Sequence, residues 1–180
     1  EVAEVARELA RLGPLPDSGK ADTALVFDYE ASWISRIQPQ GHDYDYGELA
    51  YRWYEAARRL GLDVDFVAPG ADLAGYRLVL VPSLPHVTEA ALQAFRTTEA
   101  TIVFGPRSGS KTRHFSIPEG LPPGPLAELM PFRVIEVASL RPGLAEAVPG
   151  AVGGLVTRWR EHIAPGAGVD VEATFADGSP

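Results

Sequence analysis

The chain contains no cysteine. Disulfides, thiolate metal sites and cysteine nucleophiles are therefore excluded. No apolar run approaches the ~18 residues of a membrane helix, and no signal-peptide pattern opens the sequence. Cations are in the minority: 16 Lys and Arg face 24 Asp and Glu, for a net charge of −8. A nucleic-acid surface would want the opposite balance. Among the charged types lysine is the scarcest, present only as Lys20 and Lys111 beside abundant arginine. The histidines His42, His86, His114 and His162 lie far apart, without the H-x-x-x-H or H-E-x-x-H spacing of a zinc site. No metal, cofactor, nucleic acid or membrane partner is expected, and the expected location is the cytoplasm.

What is present is ordinary for a globular domain. At 180 residues, 46% apolar and 22% charged, the chain is long enough to bury one α/β core. Glu1 to Gly13 reads as an amphipathic helix, with Val2, Val5, Leu9 and Leu12 on one stripe. A Pro/Gly linker follows from Gly13 to Gly19. At the other end, Val169 to Phe175 alternates as a strand and Asp177-Gly178 is a hairpin-turn signal. An uncapped helix at one end and a turn without a second strand at the other point to a domain lifted from a longer protein.

Between these ends, short apolar runs alternate with helical periods. Strands are expected at Thr23–Phe27, Val64–Val67, Leu78–Val81, Thr101–Phe104 and Phe132–Val137, most of them ended by Pro or Gly. Asp45 with Glu48 forms an N-cap and capping-box pair. It opens a helix to Leu60 whose stripe is Leu49, Trp53, Ala56, Ala57 and Leu60. Thr88 caps a second helix with Ala91, Leu92 and Phe95 facing inward, and a short helix is expected over Pro125–Met130. Asp28 to Tyr44 reads as a long polar-aromatic loop, and Arg158 to His162 as a helical turn or strand edge. The order predicts a three-layer α/β domain, a mostly parallel sheet with helices on both faces, flavodoxin-like in kind.

Three motifs bear on chemistry. Gly105 to Thr112, GPRSGSKT, nearly spells a phosphate-binding loop. However, Ser110 stands where the second glycine is needed, Pro106 removes an amide donor, and RHFSIPEGLPPGP cannot form the helix that must follow. Ser108 with His114 and Asp28 or Asp43 could be arranged as a hydrolase triad, but the G-x-S-x-G elbow spacing is missing. Asp28 and Glu30 could act as a carboxylate pair on an extended segment, or simply cap neighbouring amides. Trp33 and Tyr44 belong to an aromatic-rich segment and suit an interface or a sugar-facing wall.

The ordered series FDYEASW, DYGELAYRWYEAARRLGLDVDFV, DLAGYRLVLVPSL, TIVFGPRSGSKT and GLPPGPLAELMPFRVIE resembles the middle domain of family 42 β-galactosidases. The likeness covers roughly Leu25 to Phe175. In that family a barrel carrying two catalytic glutamates precedes a class I glutamine-amidotransferase-like domain that builds the trimer, and a small β domain follows. The resemblance implies that residues 1–20 connect to an upstream barrel and that residues 21–180 form the amidotransferase-like domain. It also implies a homotrimeric parent that hydrolyses β-galactosides, and a fragment inactive by itself. In amidotransferases the strand matching Thr101–Phe104 ends in a nucleophilic cysteine on an elbow; here that place reads Gly105-Pro106-Arg107. No catalytic residue is carried over. Asp28, Glu30, Trp33, Tyr44, Arg107, Ser108 and His114 remain as candidates for an interface or an active-site rim. The rival reading is a self-sufficient small enzyme or nucleotide-binding module on a flavodoxin-like fold.

Overall fold

The computed structural model describes residues 2–14, 19–39, 41, 43–150 and 153–180. The middle of the expected Pro/Gly linker and His42 lie outside the described residues. A four-stranded parallel sheet organises the domain, with strands β1 (Thr23–Val26), β2 (Val64–Val67), β3 (Leu78–Val81) and β4 (Thr101–Phe104) in the order β2-β1-β3-β4. The register sets Thr23 beside Val64 and Leu78, and Leu78 beside Thr101.

Helices cover both faces, as the period-2 alternation of strand side chains requires. On one face Ala24, Val26, Val79 and Val81 pack with Ala91, Leu92 and Phe95 of helix α4 (Glu89–Thr97), which Thr88 caps through Ala91 N. On the other, Leu25 and Leu80 meet Ala57 and Trp53 of helix α3 (Tyr46–Arg59), capped by Asp45 through Glu48 N. The buried stripe of α3 runs through Tyr46, Ala50 and Ala57 rather than Ala56 and Leu60, which face outward. Helix α1 (Val2–Leu12) forms as its periodicity predicts, yet buries none of its residues.

Three elements depart from the sequence reading. The first half of the Asp28–Tyr44 loop is a helix, α2 (Tyr29–Ile37). Asp28 supplies the N-cap, Glu30 sits in the first turn, and Ala31, Ile34 and Ser35 form its buried face. The expected fifth sheet strand, β5 (Phe132–Ser139), leaves the parallel sheet and pairs antiparallel with β8 (Trp159–Pro165), the segment read as a turn or strand edge. Its sequence FRVIEVAS interleaves Arg133 and Glu136 with apolar residues, the signature of a one-sided antiparallel strand rather than a buried parallel one. The short strands β6 (Glu146–Val148) and β7 (Gly154–Val156) form a separate hairpin.

Val169–Phe175 forms no strand. Its end is instead drawn in by the buried Arg160, whose guanidinium lies 3.8 Å from the Phe175 ring centroid and binds Glu146, Asp177 and Ser179. Asp177-Gly178 does turn, with Gly178 N donating to Phe175 O.

Candidate functional site

In an open parallel sheet, ligand sites gather beyond the carboxyl ends of the strands, where the chain switches direction. Here that point lies between β1 and β3, and loops from both, together with the loop after β4, meet there. Asp28 ends β1 and is fully occupied. Its carboxylate accepts from Glu30 N at 3.0 Å and Ala31 N at 3.1 Å, and its own N–H donates to Tyr46 Oη at 2.8 Å. Burial raises the Asp28 carboxyl above its usual range and pushes the Tyr46 phenol up to about 12. Asp28 and Glu30 are therefore no acid–base pair: one caps a helix, and the other is exposed on its first turn, 3.6 Å from His86 Nδ1.

The centre of the site is Arg107. It follows β4 by three residues and adopts φ +64 with 1% of its surface exposed. Gly105 makes the approach possible, because a Cβ there would lie 2.0 Å from Pro82 O. The Arg107 guanidinium donates to Gln38 O at 3.0 Å and Pro39 O at 3.2 Å. It also lies 4.7 Å from the Tyr44 ring centroid and 5.4 Å from that of Trp159. Its backbone N–H donates to Glu161 Oε1 at 2.7 Å. A left-handed residue on a sharp turn after a strand is the geometry of a nucleophile elbow. The residue on that elbow is a buried cation with no nucleophilic chemistry.

Ser108 is likewise committed. Its hydroxyl donates to Gly105 O at 2.9 Å and accepts from Leu84 N at 3.1 Å. His114 is exposed, and no hydrogen bond joins the two side chains among the described residues. The geometry thus sets the triad reading aside. The phosphate-loop reading meets the same obstacle. The N–H groups of Arg107, Gly109, Ser110 and Lys111 already donate to Glu161, Leu84 O, Arg107 O and Pro85 O. Gly109 is further wedged so that a Cβ would sit 1.8 Å from Pro123 O. These four N–H groups are spent inside the protein and are not free to cradle a phosphate.

Of the candidate residues, the structure brings Tyr44 and Arg107 into contact and sets Asp28 and Ser108 on the same edge of the sheet. Trp33, on α2, stays 57% exposed. Sequence reasoning missed Trp159, Glu161 and Gln38. Trp159 and Glu161 stand two apart on β8 and so share a face; Trp159 Nε1 donates to Glu161 Oε1 at 3.1 Å. That i, i+2 pair was the available signal. Among the described residues no cluster of His, Asp and Glu could hold a metal ion, and no helix is long and apolar enough to cross a membrane.

The comparisons with known proteins agree with this architecture. Residues 21–180 match a family model described as the β-galactosidase trimerisation domain. A β-galactosidase of Thermus thermophilus is 54% identical over 179 residues, covering 99% of this chain and 27% of that protein. The β-galactosidase BgaA of a Thermus species is also 54% identical, over 91% of this chain and 25% of its own length. Among solved structures, the β-galactosidase of the psychrophilic Marinomonas ef1 superposes with a TM-score of 0.87 at 36% identity, covering 99% of this chain and 27% of that one. The enzyme of the Antarctic haloarchaeon Halorubrum lacusprofundi gives 0.83 at 30% identity, covering 97% and 27%. The chain thus spans about a quarter of the relatives it matches.

Proposed function

This chain belongs to the β-galactosidase trimerisation domain family, the middle domain of family 42 glycoside hydrolases, and from that premise we propose that it is a noncatalytic assembly domain. Its parent enzyme is a homotrimer that hydrolyses terminal β-galactosides with residues supplied by another domain. The observation that carries the reading is the filled elbow. Where an amidotransferase-like fold would present its nucleophile, Arg107 is buried, its two terminal nitrogens donating to Pro39 O and Gln38 O between two aromatic rings. A scaffold that keeps the sheet and seals the catalytic pocket is suited to holding other parts in place. The apolar stripe of α1, left bare by this domain, supports assigning residues 1–20 as a connector to an upstream barrel and residues 21–180 as the domain itself.

Two measurements test this. Light scattering of the full-length parent should give the mass of three chains; a monomer would end the reading. The isolated chain should turn over neither a chromogenic β-galactoside nor glutamine. Turnover above blank, abolished by Asp28→Ala or Glu30→Ala, would place chemistry in this domain after all.

A further inference from the structure

The two edges of the parallel sheet are finished differently. At one edge, β2 carries Asp65, whose carboxylate accepts from Ala21 N at 3.1 Å and from Tyr76 Oη at 3.1 Å. A charged side chain with neighbours drawn over it is a usual protection of a free edge. At the other edge, β4 reads TIVF, with no charge and no proline. Ile102 and Phe104 pack toward the α4 face, and Val103 points to the opposite face, where it stays 41% exposed. Apolar residues on both faces are the pattern of an interior strand of a parallel sheet. Yet β4 pairs with β3 alone. Thr101 N and Gly105 N donate to Arg77 O and Val81 O on that side. By alternation, the N–H groups of Ile102 and Phe104 point away from β3, and among the described residues no acceptor meets them.

A groove of about 870 Å³ runs along this free edge. Ile102 and Phe104 line it from the sheet, and Phe132, Val134 and Ile163 from the β5–β8 ribbon. The charged residues on its lining, Arg160 and Glu161, are already engaged, the first by Glu146 and Asp177 and the second by Arg107 N and Trp159 Nε1. An apolar trough with a row of unpaired backbone groups along one wall fits an extended segment, whose own amides continue the ladder. A helix there would cover the side chains but leave the backbone groups unpaired. The chain itself leads into the groove, because Phe175 and Pro180 line it. Arg160 holds that approach: its guanidinium lies 3.8 Å from the Phe175 ring centroid and binds Asp177 and Ser179.

We propose that the groove is the seat of a further sheet strand, formed by the segment that follows Pro180 in the parent chain and paired to the free edge of β4. The sheet then reaches the five-strand flavodoxin-like order, with its outer position taken by chain beyond the β5–β8 ribbon rather than by β5. Usual connection and strand lengths set the strand within about 6 residues of Pro180 and give it about 5–6 residues. The chain spans 27% of the β-galactosidases of Thermus thermophilus and Marinomonas ef1, so a parent of similar length has ample chain to supply it. The inference rests on the reading that this domain belongs to a longer parent, and it concerns how the domain is completed rather than how the parent assembles.

The test is amide hydrogen exchange on the full-length parent, read residue by residue by mass spectrometry. The wild type is compared with a variant whose roughly 12 residues after Pro180, the span of one connection and one strand, are replaced by Gly and Ser. The amides of Ile102 and Phe104 should exchange at least about tenfold more slowly in the wild type, while the amides of β1 stay protected in both. Equal rates at Ile102 and Phe104 in the two proteins overturn the inference. So does protection that disappears when the wild type is diluted into separate subunits, since the strand would then come from a second copy. Should the Gly/Ser variant lose protection in β1 as well, a second pair of variants decides. Ile102→Pro removes only an N–H that points away from β3, which a free edge tolerates, so it should unfold at lower denaturant than Ile102→Ala only if that N–H is paired. Equal midpoints overturn the inference. A trimeric parent with equal exchange rates overturns this inference and leaves the assembly reading standing; a monomeric parent with the expected protection does the reverse.

Discussion

The backbone N–H of Arg107 donates to Glu161 Oε1 at 2.7 Å across 54 residues of sequence. The bond joins the turn after β4 to β8, and so fastens the antiparallel β5–β8 ribbon to the parallel sheet. The same oxygen receives Trp159 Nε1, and the Trp159 ring flanks the Arg107 guanidinium. One carboxylate therefore orients both the elbow and the aromatic wall that seals it.

Removing that acceptor should be costly. Glu161→Ala leaves two donors unpaired in a buried setting, each worth about 1–3 kcal/mol. A loss of about 2–4 kcal/mol in urea unfolding is expected. Glu161→Gln keeps an acceptor oxygen in place and should lose far less. Equal destabilisation by both substitutions would show that the charge, not the acceptor, holds the ribbon.

Gly105 should tolerate no side chain. A Cβ there would lie 2.0 Å from Pro82 O and 2.8 Å from Trp53 Cζ2, and one of the two obstacles is backbone that cannot yield. Gly105→Ala should cost at least about 2–3 kcal/mol through overpacking. An unchanged melting temperature would mean that β3 and β4 separate more easily than their pairing indicates.

Helix α2 offers a milder check. Asp28 accepts two backbone N–H groups at its start, so Asp28→Ala should cost about 1 kcal/mol, the usual value of a lost N-cap. Asp28→Ser should recover most of it, measured by the denaturant midpoint. A larger loss restored by Asn but not by Ser would give Asp28 a role beyond capping.

The parallel sheet was legible because its strands are short β-branched or aliphatic runs, most of them punctuated by Pro or Gly, and α3 and α4 announce themselves through Asp45 and Thr88. Helix α2 was equally announced by Asp28, but the aromatic residues around it masked the period of Ala31, Ile34 and Ser35. The partnership of β5 with β8 was not legible, since nothing local in FRVIEVAS names a partner some 27 residues on. Arg107 was a candidate from the sequence, but its burial was hidden for a related reason. An arginine in a Gly-rich loop reads as solvated. Its burial depends on Tyr44, Trp159, Gln38 O and Pro39 O, contributed by segments distant in sequence and brought together only by the finished fold.

The pH dependence of stability should carry the mark of Glu161. Burial raises its carboxyl above the usual 4.5, and the hydrogen bonds from Trp159 and Arg107 only partly oppose this. An acid whose folded value lies above its unfolded one keeps its proton longer in the native state. As pH rises from 4.5, the unfolded chain releases that proton first and gains relative to the folded one. The contribution of Glu161 is therefore favourable below 4.5, declines as pH climbs through the folded value, and is constant above it. Glu161→Gln resembles the protonated acid at every pH and has no such decline. The unfolding free energy of Glu161→Gln minus that of the wild type should be flat in acid, rise with pH above 4.5, and then level off. Subtraction cancels the opposite slopes of carboxyls held low by arginine, such as Glu48 and Glu128. A difference that falls with pH would mean that attraction to Arg107 outweighs burial, and that Glu161 is held as a stabilised anion.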